Sequence, residues 1–135
     1  MYPHKAESMN KKLKALLAED DDSLREKYKR EMEQEGLHVT CVDNGQALIE
    51  RAEKEEFDII VSDTDMPQLD GDKACKKIRE SIHYRIFIIG MSDAHENEDY
   101  WVNIADWFIY KPNLASVSMG KVVRTKLERF NGFEK

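Results

Sequence analysis

Apolar and polar residues fall into blocks along this chain, and the blocks alternate between two periods. Short apolar runs occur at residues 13–18, 37–42, 57–62, 86–91 and 107–110. Runs of this length, flanked by polar and turn-forming residues, read as buried strands. Between them the apolar positions recur at helical spacing. Leu24, Tyr28 and Met32 lie four apart on one face, and Gly36 closes that helix. Its start carries Ser23-Leu24-Arg25-Glu26, a capping-box pattern, with Asp22 or Ser23 expected as the cap. Asp43-Asn44-Gly45 reads as a turn before a second helix over 46–55, with Ala47, Leu48 and Ala52 inward. A third helix is predicted over 71–81 with Ala74 and Ile78 buried. Residues 93–99 are polar and patternless, and 100–105 reads as a short fourth helix. The last helix is predicted over about 114–130, with Val117, Val123, Leu127 and Phe130 as its apolar positions. Trp107 is expected in the core.

Five strand–helix units with right-handed crossovers give an α/β, doubly wound sheet. Ligands bind such sheets at the carboxyl ends of the strands. That makes the polar residues closing each apolar run the place to look. The first run ends in Glu19-Asp20-Asp21-Asp22, and the third in Asp63-Thr64-Asp65-Met66 before Pro67. The fourth ends in Ser92, and the fifth in Lys111-Pro112. Carboxylates gathered at one crevice raise each other's pKa unless a cation intervenes. A hard divalent ion with oxygen ligands resolves the conflict, and Mg²⁺ suits one or two carboxylates plus water.

Four segments together carry a resemblance: Leu-Leu-Ala-Glu-Asp-Asp at 16–21, Asp-Ile-Ile-Val-Ser-Asp-Thr-Asp-Met-Pro-Gln-Leu-Asp-Gly at 58–71, Ile-Ile-Gly-Met-Ser at 88–92 and Tyr-Lys-Pro at 110–112. In this order and spacing the chain resembles a chemotaxis-type response-regulator receiver domain of two-component signalling. The resemblance implies a flavodoxin-like five-stranded parallel sheet of order 2-1-3-4-5 with five helices, the fourth one short. It implies Asp63 as phospho-acceptor, with Mg²⁺ (or Mn²⁺) held by Asp20 and Asp63 directly, by Glu19 through water and by the backbone carbonyl of Asp65. Ser92 and Lys111 would bind the phosphoryl group, and Phe108 would couple the hydroxyl to an output face formed by the fourth helix, fifth strand and fifth helix. Lys111-Pro112 resembles the family's cis-peptide corner. The implied partners are a histidine kinase or histidine phosphotransferase and an output protein or domain of unknown identity. A dimer through the output face is a further expectation.

Composition narrows the class. At 135 residues the chain is one domain, with residues 1–11 expected as a flexible extension, 12–130 as the receiver domain and 131–135 as a tail. Its net charge of −6 disfavours a nucleic-acid surface, which needs a basic stripe. No run is long and apolar enough for a membrane span. Cys41 and Cys75 lack metal-type spacing and read as reduced structural thiols, which points to the cytoplasm. His95 with Glu96 and Asp99 reads as a solvated loop rather than a metal site.

Three departures from the family stand out. The stretch from Ser92 to Lys111 is shorter than usual, so the output face is expected to be atypical. Asp93 follows the hydroxyl residue where a small side chain is customary, and an acid there could modulate phosphoryl transfer. Asp65 places a second acid two residues past Asp63, where it could hold a water or extend the acidic patch. Two other readings stay open. One is a degenerate receiver, a phosphorylation-independent scaffold. The other is an enzyme, a haloacid-dehalogenase-like phosphatase, suggested by Asp63-Thr64-Asp65; the receiver reading itself is not an enzyme but a signalling module that supports its own phosphorylation and dephosphorylation.

Overall fold

Five strands and four α-helices make up most of residues 12–132, the part of the chain that the computed structural model describes. The strands are β1 (Lys14–Ala18), β2 (His38–Val42), β3 (Ile59–Asp63), β4 (Phe87–Ser92) and β5 (Trp107–Tyr110). The α-helices are α1 (Asp22–Gln34), α2 (Gly45–Lys54), α3 (Gly71–Ser81) and α4 (Met119–Gly132). Two 3-10 segments, His95–Trp101 and Lys111–Leu114, flank β5. All strand pairs are parallel, in the order β2-β1-β3-β4-β5, as expected of the flavodoxin-like class. The expected extension at 1–11 and the last three residues of the expected tail lie outside the described residues.

Alternation along the strands builds two cores. Ala15, Leu17, Ile59, Val61, Phe87, Ile89 and Ile109 face α1 and α4, meeting Tyr28, Met32, Val123 and Leu127. Leu16, Ala18, Ile60, Ile86 and Ile88 face the other way, onto Leu48, Ala74, Ile78 and Trp101. Because helices cover both faces, the central strand β3 is buried along its length and its sequence is nearly continuous in apolar residues. The same counting by twos sets up the site. Two beyond Leu17 is Glu19, two beyond Val61 is Asp63 and two beyond Ile109 is Lys111, so all three leave the sheet on the α1/α4 face.

Several local expectations are corrected. The α1 cap is Asp21, whose side chain accepts from Leu24 N at 2.9 Å, not Asp22 or Ser23. The helix therefore starts two residues earlier than the capping-box pattern placed it. Asn44 caps α2 in the same way, accepting from Ala47 N. The short fourth helix is the 3-10 segment His95–Trp101, which lies mostly in the stretch read as patternless and shares only residues 100 and 101 with the expected 100–105. The last helix begins at Met119, because Lys111–Leu114 forms its own turn, and it continues to Gly132 into the expected tail. Val117 consequently lies outside it and is exposed. Among the described residues no peptide bond is cis, so the corner at Lys111-Pro112 is trans. Trp107 is not core: it is 44% exposed, with Lys126 Nζ over its ring at 3.5 Å.

The buried tryptophan is instead Trp101. A Cβ at Gly90, in the middle of β4, would collide with its indole ring. The missing side chain lets the ring lie against the sheet, a use of glycine in a strand that allows close approach. On the opposite side of the crossover Arg79 clips the shortened connection in place. It donates to Ile86 O and Ile104 O and pairs with Asp106 at 2.8 Å.

Candidate functional site

Glu19, Asp63 and Lys111 converge at the carboxyl edge of the sheet. Lys111 Nζ lies 2.8 Å from Glu19 Oε1 and 3.3 Å from Asp63 Oδ1. All three are buried, with residue exposures of 0% for Glu19, 8% for Asp63 and 7% for Lys111. Backbone contacts fix the acids before any side chain acts. Glu19 N donates to Val42 O, and its carbonyl accepts from Arg25 Nη1. Asp63 closes β3, and Gly71 N returns to Thr64 O at 2.7 Å to begin α3. Gly71 sits so close to the Asp63 carbonyl that a Cβ would overlap it, so this turn requires glycine.

Two acids and one lysine in a buried cluster leave unbalanced negative charge. Burial and then repulsion from Glu19 push the Asp63 carboxyl up to about 7, against the opposing pull of Lys111. Lys111 feels burial in the other direction, but pairing with Glu19 and Asp63 prevails and raises it above the ordinary lysine range. Tyr28 of α1 packs beneath this cluster, and burial raises its phenol to about 12, so it remains neutral at physiological pH.

The acids also fit a cation. Glu19, Asp20 and Asp63 each offer a carboxylate oxygen within 4.8 Å of the others. Asp20 is exposed, opening the cluster to solvent, and the charge of the buried Glu19 is met by Lys111, which it shares with Asp63. An all-oxygen donor set with surplus negative charge suits a hard divalent ion.

A second group of residues closes the other side of the edge. Ser92 ends β4, and its Oγ accepts from Ala94 N at 3.0 Å and from Asn97 Nδ2 at 2.9 Å. Asn97 Nδ2 also donates to Asp65 Oδ2 at 3.2 Å. Trp101 Nε1 donates to Thr64 Oγ1, which in turn donates to Met91 O, each at 2.8 Å. Asp93 is exposed and points to no described partner in this group. Phe108 is half-buried beside Trp101, on the α3 side of β5, and Tyr110 stacks with His95 at a centroid distance of 4.2 Å.

So the structure brings Glu19, Asp20, Asp63 and Lys111 together and sets Ser92 and Asp65 alongside, joined through Asn97. Asn97, Thr64 and Trp101 were missed in the sequence. Gly90 within an apolar strand was the available signal for Trp101, since an isolated strand glycine marks a close approach. For Asn97 no sequence signal existed, because its stretch follows neither period.

A five-stranded 2-1-3-4-5 sheet with an acid cluster, a hydroxyl and a lysine on its carboxyl edge defines a class of signalling modules rather than an ordinary core. The chain belongs to the response regulator receiver domain family, whose model matches residues 15–115. Among curated relatives, the response regulator receiver protein CpdR of Brucella abortus is 38% identical over 65 residues, covering 48% of this chain and 54% of that protein. The chemotaxis response regulator CheY4 of Vibrio cholerae has the same fold, with TM-score 0.77, 23% identity and coverage of 85% of this chain and 98% of that one. TrrA of Thermotoga maritima, solved in complex with Mg(2+)-BeF, superposes with TM-score 0.74 at 23% identity, covering 85% and 98%. The chain spans about half the length of the curated relatives it matches. It is thus a receiver domain of a two-component response regulator, and the dehalogenase-like reading falls with the family match. Among the described residues no helix is long and apolar enough to cross a membrane.

Proposed function

We propose that this receiver domain accepts a phosphoryl group on Asp63 in an Mg²⁺-dependent reaction. The observation that carries the reading is the buried Glu19–Lys111–Asp63 cluster with Asp20 at its open side. An Asp63 carboxylate oxygen attacks phosphorus, the bond from phosphorus to the donor's imidazole nitrogen breaks, and the nitrogen leaves with the bonding pair. The donor is a histidine kinase or histidine phosphotransferase. Lys111, held within 3.3 Å of Asp63, supplies positive charge where the transferring group gains negative charge. Ser92 donates its hydroxyl to the attached phosphoryl group. Asp20, Asp63 and the Asp65 carbonyl would hold the metal directly, and Glu19 would hold it through water. Bound Mg²⁺ (Mn²⁺ in its place) supplies the charge that keeps Asp63 ionised and screens the phosphoryl oxygens. Attack of water on phosphorus later returns free carboxylate and phosphate, so the domain supports its own dephosphorylation. The consequence is a change in the face made by His95–Trp101, β5 with Phe108, and α4, which binds an output protein or domain or a second copy of the chain.

Incubation with acetyl phosphate and Mg²⁺, followed by intact mass, tests this. The expected result is one phosphoryl adduct, lost in Asp63→Asn and in a metal-free sample. No adduct with several small donors would instead leave a phosphorylation-independent scaffold, with Asp93 beside Ser92 the first residue to replace by Ala.

A further inference from the structure

Three elements meet at one side-chain nitrogen. Asn97 Nδ2 donates to Ser92 Oγ, at the end of β4, and to Asp65 Oδ2, in the loop that follows β3. Asn97 itself belongs to the 3-10 segment His95–Trp101 and is only 8% exposed. A 3-10 segment has poorer backbone hydrogen bonds than an α-helix and tolerates only short lengths. This one is flanked by no α-helix: a bend precedes it, a turn follows, and β5 begins at Trp107. Exposed Glu96, Glu98, Asp99 and Tyr100 contribute little packing. Its hold on the domain therefore rests on three side chains: His95 stacked on Tyr110 of β5, Asn97 at the site and Trp101 in the core.

We propose that Asn97 is a latch. In the resting domain it holds the Ser92 hydroxyl and the Asp65 carboxylate to the 3-10 segment. Acyl-phosphate formation on Asp63 breaks it, because the Ser92 side chain rotates to donate its hydroxyl to the phosphoryl group and carries Oγ out of reach of the amide. The inference rests on the phospho-acceptor reading above and adds to it the residue that couples the site to the segment. A ligand shifts an equilibrium only through contacts that differ between states. Here the differing contacts are named: Asn97 to Ser92 and Asp65 in one state, Ser92 to phosphoryl in the other. In this chain the signal then leaves the site through one amide. Trp101 keeps its bond to Thr64 and stays as the pivot about which the segment loosens.

Asn97 is a positioning residue under this proposal, so the test reads the segment and not the chemistry alone. Backbone hydrogen exchange is followed over residues 94–102, with intact mass taken on the same samples, for the wild type, Asn97→Ala, Asn97→Asp and Asp63→Asn. In the wild type, acetyl phosphate with Mg²⁺ should speed exchange in this segment by about three- to tenfold, the equivalent of one lost hydrogen bond. Asn97→Ala should show that faster exchange without any donor, and α1 and α2 should be unchanged. Asn97→Asp keeps the side-chain volume, cannot donate when ionised, and faces Asp65. It should loosen the segment at least as much as Ala. Asp63→Asn should not respond to the donor. An adduct on the wild type with unchanged exchange at 94–102 overturns the latch and leaves the phospho-acceptor reading standing. An Asp variant milder than the Ala variant also overturns it, since lost volume would then be the cause. Absence of any adduct on the wild type removes both.

Discussion

The two sides of the sheet edge are built by different physics. On one side, Glu19, Asp63 and Lys111 follow directly from buried strands, and the alternation of those strands aims all three into one place. On the other, Ser92, Asp65 and Asn97 are joined by side-chain hydrogen bonds to a 3-10 segment of which only Asn97 and Trp101 are buried. The first side stores electrostatic stress in a rigid frame. The second stores little and has few contacts to lose. A switch needs both: a place where added charge changes the energy, and an element cheap enough to move in response.

The comparison is broken most severely by removing the lysine. Lys111→Ala leaves Glu19 and Asp63 buried without their cation. Removing one partner of a buried ion pair costs about 3–5 kcal/mol, and urea denaturation at pH 8 without metal should show a loss of that order. Millimolar Mg²⁺ should restore part of it, because the acids then have a cation again. The loss should shrink toward pH 5, where Asp63 takes up a proton and one of the two charges disappears. A loss that is independent of both pH and Mg²⁺ would mean that Lys111 acts through packing alone.

Neutralising Asp63 works the other way. The Asp63 carboxyl is raised from an ordinary value of 3.8 to about 7 in the fold, by burial first and Glu19 second. A raised folded-state value means that the unfolded chain releases this proton at lower pH than the folded one. Stability from this group is then fully present below about pH 4 and is lost progressively up to about pH 7. Asp63→Asn removes that loss. In metal-free buffer the variant should match the wild type near pH 4 and exceed it above pH 7, by up to about 4 kcal/mol if the whole shift is realised. Thermal melts across that range, with and without Mg²⁺, measure it. Saturating Mg²⁺ should narrow the gap, since only the wild type keeps the carboxylate that binds it. A gap of constant size from pH 4 to 8 would show that the charge of Asp63 is not its source.

The same division explains what could be read from the sequence. The strands and the Glu19–Asp20–Asp63–Lys111 set were legible, because buried parallel strands are apolar runs and the residues that close them are forced to one edge, whereas the strand order followed only from the family resemblance. The connection from Ser92 to Trp107 was not. It has seven residues of 3-10 structure with apolar positions at neither helical nor strand period. Its one buried aromatic ring was assigned to the wrong tryptophan. Trp107 sits in an apolar run and looked like core, but β5 is an edge strand and its ring faces outward under Lys126. Trp101 sits among polar residues, and its burial depends on a vacancy at Gly90 that lies in another element. Asn97 is a tertiary contact with no local pattern at all.

Trp101 supplies the smallest and sharpest comparison, because one side chain reaches both sides of the edge. Its ring fills the core on the α3 face, while Nε1 donates to Thr64 Oγ1, next to Asp63. Trp101→Phe keeps much of the apolar contact and removes the donor. Thr64 Oγ1 still donates to Met91 O, so that hydroxyl is not stranded, and the loss should be about 1 kcal/mol beyond what the smaller ring loses in packing. A double-mutant cycle with Thr64→Val isolates the hydrogen bond, and urea denaturation reads it. The second cycle, Trp101→Phe with Asn97→Ala, asks whether core and latch act as one element. Independent effects within about 0.5 kcal/mol would mean that the segment can swing at Asn97 while anchored at Trp101. Strong coupling would mean that it leaves as a unit, and the pivot would then lie beyond Trp101, where Arg79 and Asp106 hold the entry to β5.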